Sequence, residues 1–188
     1  MTKELPKVIV FDLDYTLWPC WCDTHISPPI KSYTKTSVKD KYGYELSFYP
    51  DVPQILSYLR DKDVKIVAAS RTCAPQVAKK LLNLLHIDDK SAITMFDHLE
   101  WGTFSKKNHI TQAIKHMKNQ GIINDDVQMH HVVLFDDELR NKDVESMGCL
   151  MIHIPSEKYG LTKEIFDKGM QKYKEKLDIW EKVEAVDL

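Results

Sequence analysis

Val8-Ile9-Val10-Phe11-Asp12-Leu13-Asp14-Tyr15-Thr16-Leu17 decides how this chain is read. Its first four residues are apolar and mostly β-branched, with no polar break, as in a strand buried on both faces. Two carboxylates follow at once, one residue apart. Adjacent carboxylates repel unless a cation neutralises them or one takes a proton. Either outcome is chemically useful, although a D-x-D pair alone is more often an ordinary strand-to-turn junction with an Asx cap.

Working outward, Val64-Lys65-Ile66-Val67-Ala68-Ala69, His131-Val132-Val133-Leu134-Phe135 and Leu150-Met151-Ile152-His153-Ile154 repeat the pattern of the first run. Ala92-Ile93-Thr94-Met95-Phe96 is a weaker fifth strand candidate. Helical periodicity fills the intervals. Ile55, Leu56 and Leu59 share a face within 52–60. Val77, Leu81, Leu84 and Leu85 do so after Pro75, and Ile110, Ala113, Ile114 and Met117 do so within 107–117. A further helix is expected over 138–147, and Ile165 to Trp180 marks a long amphipathic one.

Strands alternating with helices predict an α/β fold, a Rossmann-like parallel sheet covered on both faces. Ligands of such sheets bind beyond the carboxyl ends of the strands, so the polar residues just after each apolar run carry the interest. Residues 18–49 differ. They are rich in Pro, Ser, Thr and Tyr and lack a helical period, and they predict a short flap over the active edge in place of a folded cap. Tyr15, Trp18, Trp21 and Tyr49 either line the entrance or pack beneath the flap. Residues 1–188 are read as one domain.

The 188 residues carry a net charge of -2 with 29% charged and 43% hydrophobic residues. That composition is globular. It argues against nucleic acid as a partner, and no apolar run is long enough for a membrane span. No signal-peptide pattern is seen in Met1 to Pro6. Cys20, Cys22, Cys73 and Cys149 are read as free thiols, with a cytoplasmic and also nuclear location expected. A monomer is expected.

Three more polar groups follow strands or open helices. Ser70-Arg71-Thr72 offers a hydroxyl and backbone N–H groups for phosphate oxygens, or an N-cap for the next helix. Asp136-Asp137-Glu138 supplies the oxygen-rich cluster that suits Mg²⁺, or an acidic helix start. Lys106 opens a helix and could neutralise a phosphate, with Lys107 as the alternative, although most of the 23 lysines are expected to be solvated surface residues.

An acidic pair, a small hydroxyl residue, a lysine and an acidic cluster, in that order, resemble the four motifs of the haloacid dehalogenase superfamily. Within it, Phe11-Asp12-Leu13-Asp14-Tyr15-Thr16-Leu17-Trp18-Pro19, Ala69-Ser70-Arg71-Thr72 and Phe135-Asp136-Asp137-Glu138 with Arg140-Asn141 resemble the magnesium-dependent phosphatase-1 family across Val8 to Ile154. That resemblance implies an Mg²⁺-dependent phosphatase, acting on phosphotyrosine in protein or on sugar phosphates through an aspartyl-phosphate. By position, Asp12 is implied as nucleophile and metal ligand. Asp14 is implied as acid/base and as a ligand through its backbone carbonyl. Ser70, the Arg71 backbone and Lys106 would hold phosphate. Asp136 would bind the metal directly, and Asp137 would support it directly or through water.

A cysteine-based phosphatase is excluded, because none of the three arginines, Arg60, Arg71 and Arg140, stands six residues after a cysteine. A dehalogenase has no need of Asp14. A non-catalytic interaction domain on the same fold predicts a missing carboxylate, and none is missing. A nucleic-acid 3′-end phosphatase remains as the alternative substrate class.

Overall fold

A computed structural model describes residues 5–184. The chain order is β1 (Val8–Phe11), α1 (Cys22–His25), β2 (Lys31–Ser32), β3 (Ser37–Lys39), β4 (Glu45–Ser47), α2 (Val52–Asp61), β5 (Lys65–Ser70), α3 (Pro75–Leu84), β6 (His86–Ile87), β7 (Lys90–Ser91), β8 (His98–Trp101), α4 (Lys106–Asn119), β9 (Val132–Asp136), β10 (Leu150–His153) and α5 (Lys163–Glu184). The first four residues, part of the stretch in which no signal-peptide pattern is read, and the four residues after Glu184 lie outside the described part.

Five strands form one parallel sheet in the order β10-β9-β1-β5-β8. Alternating residues of the central strands serve two apolar layers. Ile9, Phe11, Ile66, Ala68, Val133 and Phe135 face α2, α3, α5 and the flap. Val8, Val10, Val67, Ala69, Val132 and Leu134 face Ile110, Ala113, Ile114 and Met117 of α4. Burial on both faces explains why the strands read as unbroken apolar runs. The chain steps from β1 to β5 and β8, then returns to the other side of β1 with β9 and β10. The switch point therefore lies between β1 and β9. Asp12 extends this junction, donating its N–H to the Phe135 carbonyl at 2.9 Å.

Two expected elements differ. Ala92–Met95 is a 3-10 turn, and the edge strand is the following His98–Trp101. A five-residue, mostly apolar run cannot declare its backbone by periodicity, whereas edge strands tolerate polar residues such as His98 and Glu100. The segment expected as a helix over 138–147 is 3-10 throughout Leu139–Met147. Other boundaries shift by no more than two residues, except that α5 runs on to Glu184, four residues past Trp180.

The flap is more ordered than its composition implies. After the helical turn α1 it forms an antiparallel sheet, β2-β3-β4. Strands of two or three residues are too short to display a period of two. Trp18, Cys20, Cys22, Ile26, Val38, Leu46 and Tyr49 lie in the main core, so the flap is seated on the domain rather than tethered above it. The four cysteines are free. Among the described residues, no helix is long and apolar enough to cross a membrane.

One glycine links flap and sheet. Gly160 sits at φ +53°, and a Cβ there would lie 2.0 Å from Tyr49 Cε2. Tyr49 is buried, and its hydroxyl donates to the Glu157 carbonyl. Gly160→Ala is expected to cost about 2–4 kcal/mol, from overpacking combined with left-handed backbone strain. In a domain of this size that lowers Tm by roughly 5–15 °C, measurable by circular dichroism on thermal unfolding. A Tm unchanged within error would show that the Tyr49 ring is free to move aside.

Candidate active site

Asp12 lies directly beyond β1, and Asp136 is the last residue of the neighbouring β9. Parallel pairing, with Phe11 opposite Phe135, carries both carboxylates to one end of the switch point. Lys106 reaches the same place from α4. Ser105 caps that helix, its hydroxyl accepting the Asn108 N–H at 3.2 Å, which makes Lys106 the first helical residue and turns its side chain inward. Lys106 is 1% exposed. Its ammonium donates to Asp12 Oδ1 at 2.6 Å and to the Ala69 carbonyl, and stands 3.4 Å from Asp136 Oδ2. Lys107, on the neighbouring face of the helix, makes no such contact. The helix cap separates two lysines that spacing could not.

Asp137 completes the cluster. One carboxylate oxygen each from Asp12, Asp136 and Asp137 lie within 4.8 Å of one another. Asp136 Oδ1 accepts the Glu138 N–H at 2.8 Å and the Asn141 amide at 3.0 Å. Its Oδ2 is buried without a hydrogen-bond donor, since the Lys106 approach is an ion-pair distance only. Asn141, itself buried, therefore orients Asp136; sequence reading had assigned it no task.

The electrostatics follow from burial. Desolvation pushes the Asp12 carboxyl well above the usual carboxylate range, Lys106 pulls it down, and Asp136 adds to the rise. Asp137 is pushed up to about 7 by burial, with Asp136 and Glu138 adding. Burial opposes the charge of Lys106, yet Asp12 and Asp136 more than offset it and hold the ammonium above its ordinary value. When ionised, three carboxylates around one ammonium leave two negative charges in excess. That is the charge of one divalent cation, and the donor set is all oxygen, which suits a hard one. Asp136 Oδ2, which takes no hydrogen bond and meets the Lys106 ammonium only at 3.4 Å, has capacity for a further ligand. The residues present fit Mg²⁺.

A cavity of about 180 Å³ opens beside the cluster, lined by Asp12, Asp14, Ser70, Asp137 and others. Asp14 takes two donors on a single oxygen: Trp18 Nε1 at 2.6 Å and the Cys22 N–H at 3.2 Å both reach Oδ1. Burial raises the Asp14 pKa, opposed by the Trp18 bond. Ser70 ends β5, and its hydroxyl accepts the Thr72 N–H at 3.2 Å. The N-cap of α3 is Ala74, so Ser70 does not serve as that cap. Arg71 and Arg140 line the cavity, with Arg140 paired to Glu138 at 2.7 Å. Of the four flap aromatics considered, Trp18 and Tyr49 are buried, Tyr15 is half-buried, and Trp21 lines the cavity while 50% exposed.

The fold and this convergence of strand ends define a haloacid-dehalogenase-type α/β hydrolase. A hydrolase of that superfamily from Ehrlichia chaffeensis superposes with a TM-score of 0.57 at 11% identity, over 90% of this chain and 98% of its own. Residues 4–176 match the family model described as Acid Phosphatase. Human magnesium-dependent phosphatase 1 is 35% identical over 171 residues, 90% of this chain and 88% of that protein. A HAD-like hydrolase superfamily protein of Schizosaccharomyces pombe is 42% identical over 155 residues, 79% of this chain and 86% of its own length. The chain belongs to the magnesium-dependent phosphatase family of the haloacid dehalogenase superfamily.

Proposed function

We propose that this protein is an Mg²⁺-dependent phosphatase that hydrolyses phosphate monoesters through an aspartyl-phosphate on Asp12. One observation carries the reading: Lys106 bridges Asp12 and Asp136, while Asp12, Asp14 and Ser70 share one cavity. Asp12, Asp136, the Asp14 backbone carbonyl and, directly or through water, Asp137 would hold Mg²⁺. When bound, the ion supplies positive charge that lets a carboxylate approach a phosphate dianion.

The chain's own residues divide the remaining work. Asp12 attacks phosphorus, so that a single hard displacement becomes two easier ones. Ser70, the Arg71 backbone N–H and Lys106 hold the phosphoryl oxygens and neutralise charge. Asp14 gives a proton to the leaving oxygen, then takes one from the water that cleaves the acyl phosphate. Phosphotyrosine in protein and sugar phosphates are the proposed substrates, as the family resemblance implies. Five acids, Asp12, Asp14, Asp23, Asp137 and Glu138, line the cavity against two arginines. That balance disfavours a nucleic-acid end, whose neighbouring phosphates would need a basic surface.

Metal removal tests the reading. Dialysis against EDTA is expected to abolish hydrolysis of p-nitrophenyl phosphate, and Mg²⁺ to restore it. Mg²⁺ should also raise Tm, since a ligand at 100 times its Kd stabilises the folded state by about 2.7 kcal/mol. Zn²⁺ should restore little, because the site offers no Cys or His. Full activity in EDTA would overturn the metal assignment.

A further inference from the structure

We propose that Asp23 is a positioning residue that locks the flap onto the loop after β5, so that Ser70 and the loop N–H groups are held in register for phosphate. The proposal rests on the function just described. It begins from three donors converging on one oxygen. Asp23 Oδ2 accepts Thr72 Oγ1–H at 3.1 Å, the Cys73 N–H at 3.2 Å and the Cys73 thiol at 3.4 Å. These partners lie about fifty positions along the chain from Asp23, so the contact ties α1 to the Ser70–Ala74 loop and is not a local turn.

The anchored loop is the one that would bind phosphate. Thr72 stands at its centre. It donates its N–H to Ser70 Oγ at 3.2 Å, and its own Oγ1 accepts the Ala74 N–H at 3.1 Å. The Cys22 thiol reaches the same Oγ1 at 3.5 Å. Asp23 therefore fixes the hydroxyl of Thr72, and Thr72 fixes the hydroxyl of Ser70. The link also runs the other way. Cys22, the residue beside Asp23, donates its N–H to Asp14 Oδ1, so one turn of helix touches both the phosphate loop and the leaving-group carboxylate.

A carboxylate suits this task better than a neutral acceptor. Charge-assisted hydrogen bonds are roughly twice as strong as neutral ones. Burial pushes the Asp23 carboxyl upward, but the Cys73 N–H, Thr24, the Cys73 thiol and Thr72 together hold it below the usual range. It remains an anion while the cavity beside it takes phosphate. Asp23 itself lines that cavity, where its charge also repels a phosphate that sits too far toward the flap.

The test uses the full chain with Mg²⁺ and five proteins: wild type, Asp23→Ala, Asp23→Asn, Thr72→Val and the Asp23→Ala/Thr72→Val double variant. Binding of inorganic phosphate is measured by calorimetry, and kcat and KM with p-nitrophenyl phosphate and with an alkyl phosphate. Asp23→Ala is expected to weaken phosphate binding and raise KM by about tenfold, since small misplacements of positioning groups are costly. Asp23→Asn keeps an acceptor and should recover part of the loss. Asp23→Ala combined with Thr72→Val should cost less than the sum of the two, because they share the contact between Asp23 Oδ2 and Thr72 Oγ1. Unchanged phosphate affinity and KM in Asp23→Ala would overturn the proposal. So would a reduced active fraction with normal KM, which is the mark of a purely structural role. A wild type that binds phosphate but hydrolyses no ester would sink the function and leave the positioning role to be judged on the binding data. A wild type that does neither would sink both.

Discussion

Asp12→Asn is expected to lower turnover by a factor on the order of 10⁴ or more while leaving the protein folded. Removing a nucleophile in other covalent enzymes costs this much, because the residual rate comes only from binding and charge stabilisation. The amide keeps the shape of the carboxyl, and its oxygen can still accept the Lys106 ammonium now found 2.6 Å from Oδ1. What it loses is the anion that attacks phosphorus. Stability should not suffer. In the metal-free protein, Asp12, Asp136 and Asp137 crowd a single ammonium, and burial works against the ionisation of Asp12 and Asp137. Neutralising one of them relieves repulsion, so the metal-free Tm should stay level or rise. The Tm gain on adding Mg²⁺ should shrink, because one ligand has lost its charge. Steady-state kinetics and paired melts with and without Mg²⁺ check both halves. A folded Asp12→Asn protein with near-normal turnover would remove the covalent mechanism.

Much of this site could be read without coordinates, for a physical reason. In a parallel sheet, each buried strand is an apolar run and its carboxyl end faces the ligand. The position just after Phe11, Ala69 or Phe135 is thus nearly a spatial coordinate. Asp12, Ser70 and Asp136 meet because β1, β5 and β9 are neighbours in register. Lys106 was harder, since two adjacent lysines share the helix start. The Ser105 cap decides which one turns inward, and a cap is a matter of backbone geometry. Asn141 was visible as part of a motif but not as the amide that holds Asp136. Trp18 and Thr72 were visible only as members of motifs, and Asp23 carried no signal at all. Trp18 could line the entrance or pack beneath the flap; it is core, yet its indole N–H ends on Asp14. The Asp23–Thr72 contact joins two loops that no periodicity connects. The turn at 92–95 was misread for a related reason: a short, mostly apolar run satisfies a buried 3-10 turn as well as a strand, and only packing chooses.

Asp14→Asn is expected to slow both chemical steps by a factor of order 10² or more, and to do so unevenly between substrates. The carboxyl holds Trp18 Nε1 and the Cys22 N–H on Oδ1 alone. An asparagine can keep both bonds through its carbonyl oxygen, so the flap should stay seated and Tm should hold. Neither of those two bonds uses the other oxygen, Oδ2, and Asp14 lines the cavity. That oxygen is the one free to exchange a proton with a leaving group. Burial raises the Asp14 pKa, which enlarges the protonated fraction available to a departing alkoxide. Asparagine has no such proton to give, and later no basic oxygen to activate water. An alkyl or sugar phosphate needs the proton in the first transition state, whereas p-nitrophenolate leaves almost without it. With p-nitrophenyl phosphate the first step should therefore survive better than the second. Phosphorylated enzyme should then accumulate, visible as a burst of p-nitrophenol in rapid quench followed by a slow steady state. With the alkyl ester no burst should appear. Equal slowing of the first step for both esters, with no trapped intermediate, would mean that Asp14 serves only to anchor Trp18 and Cys22.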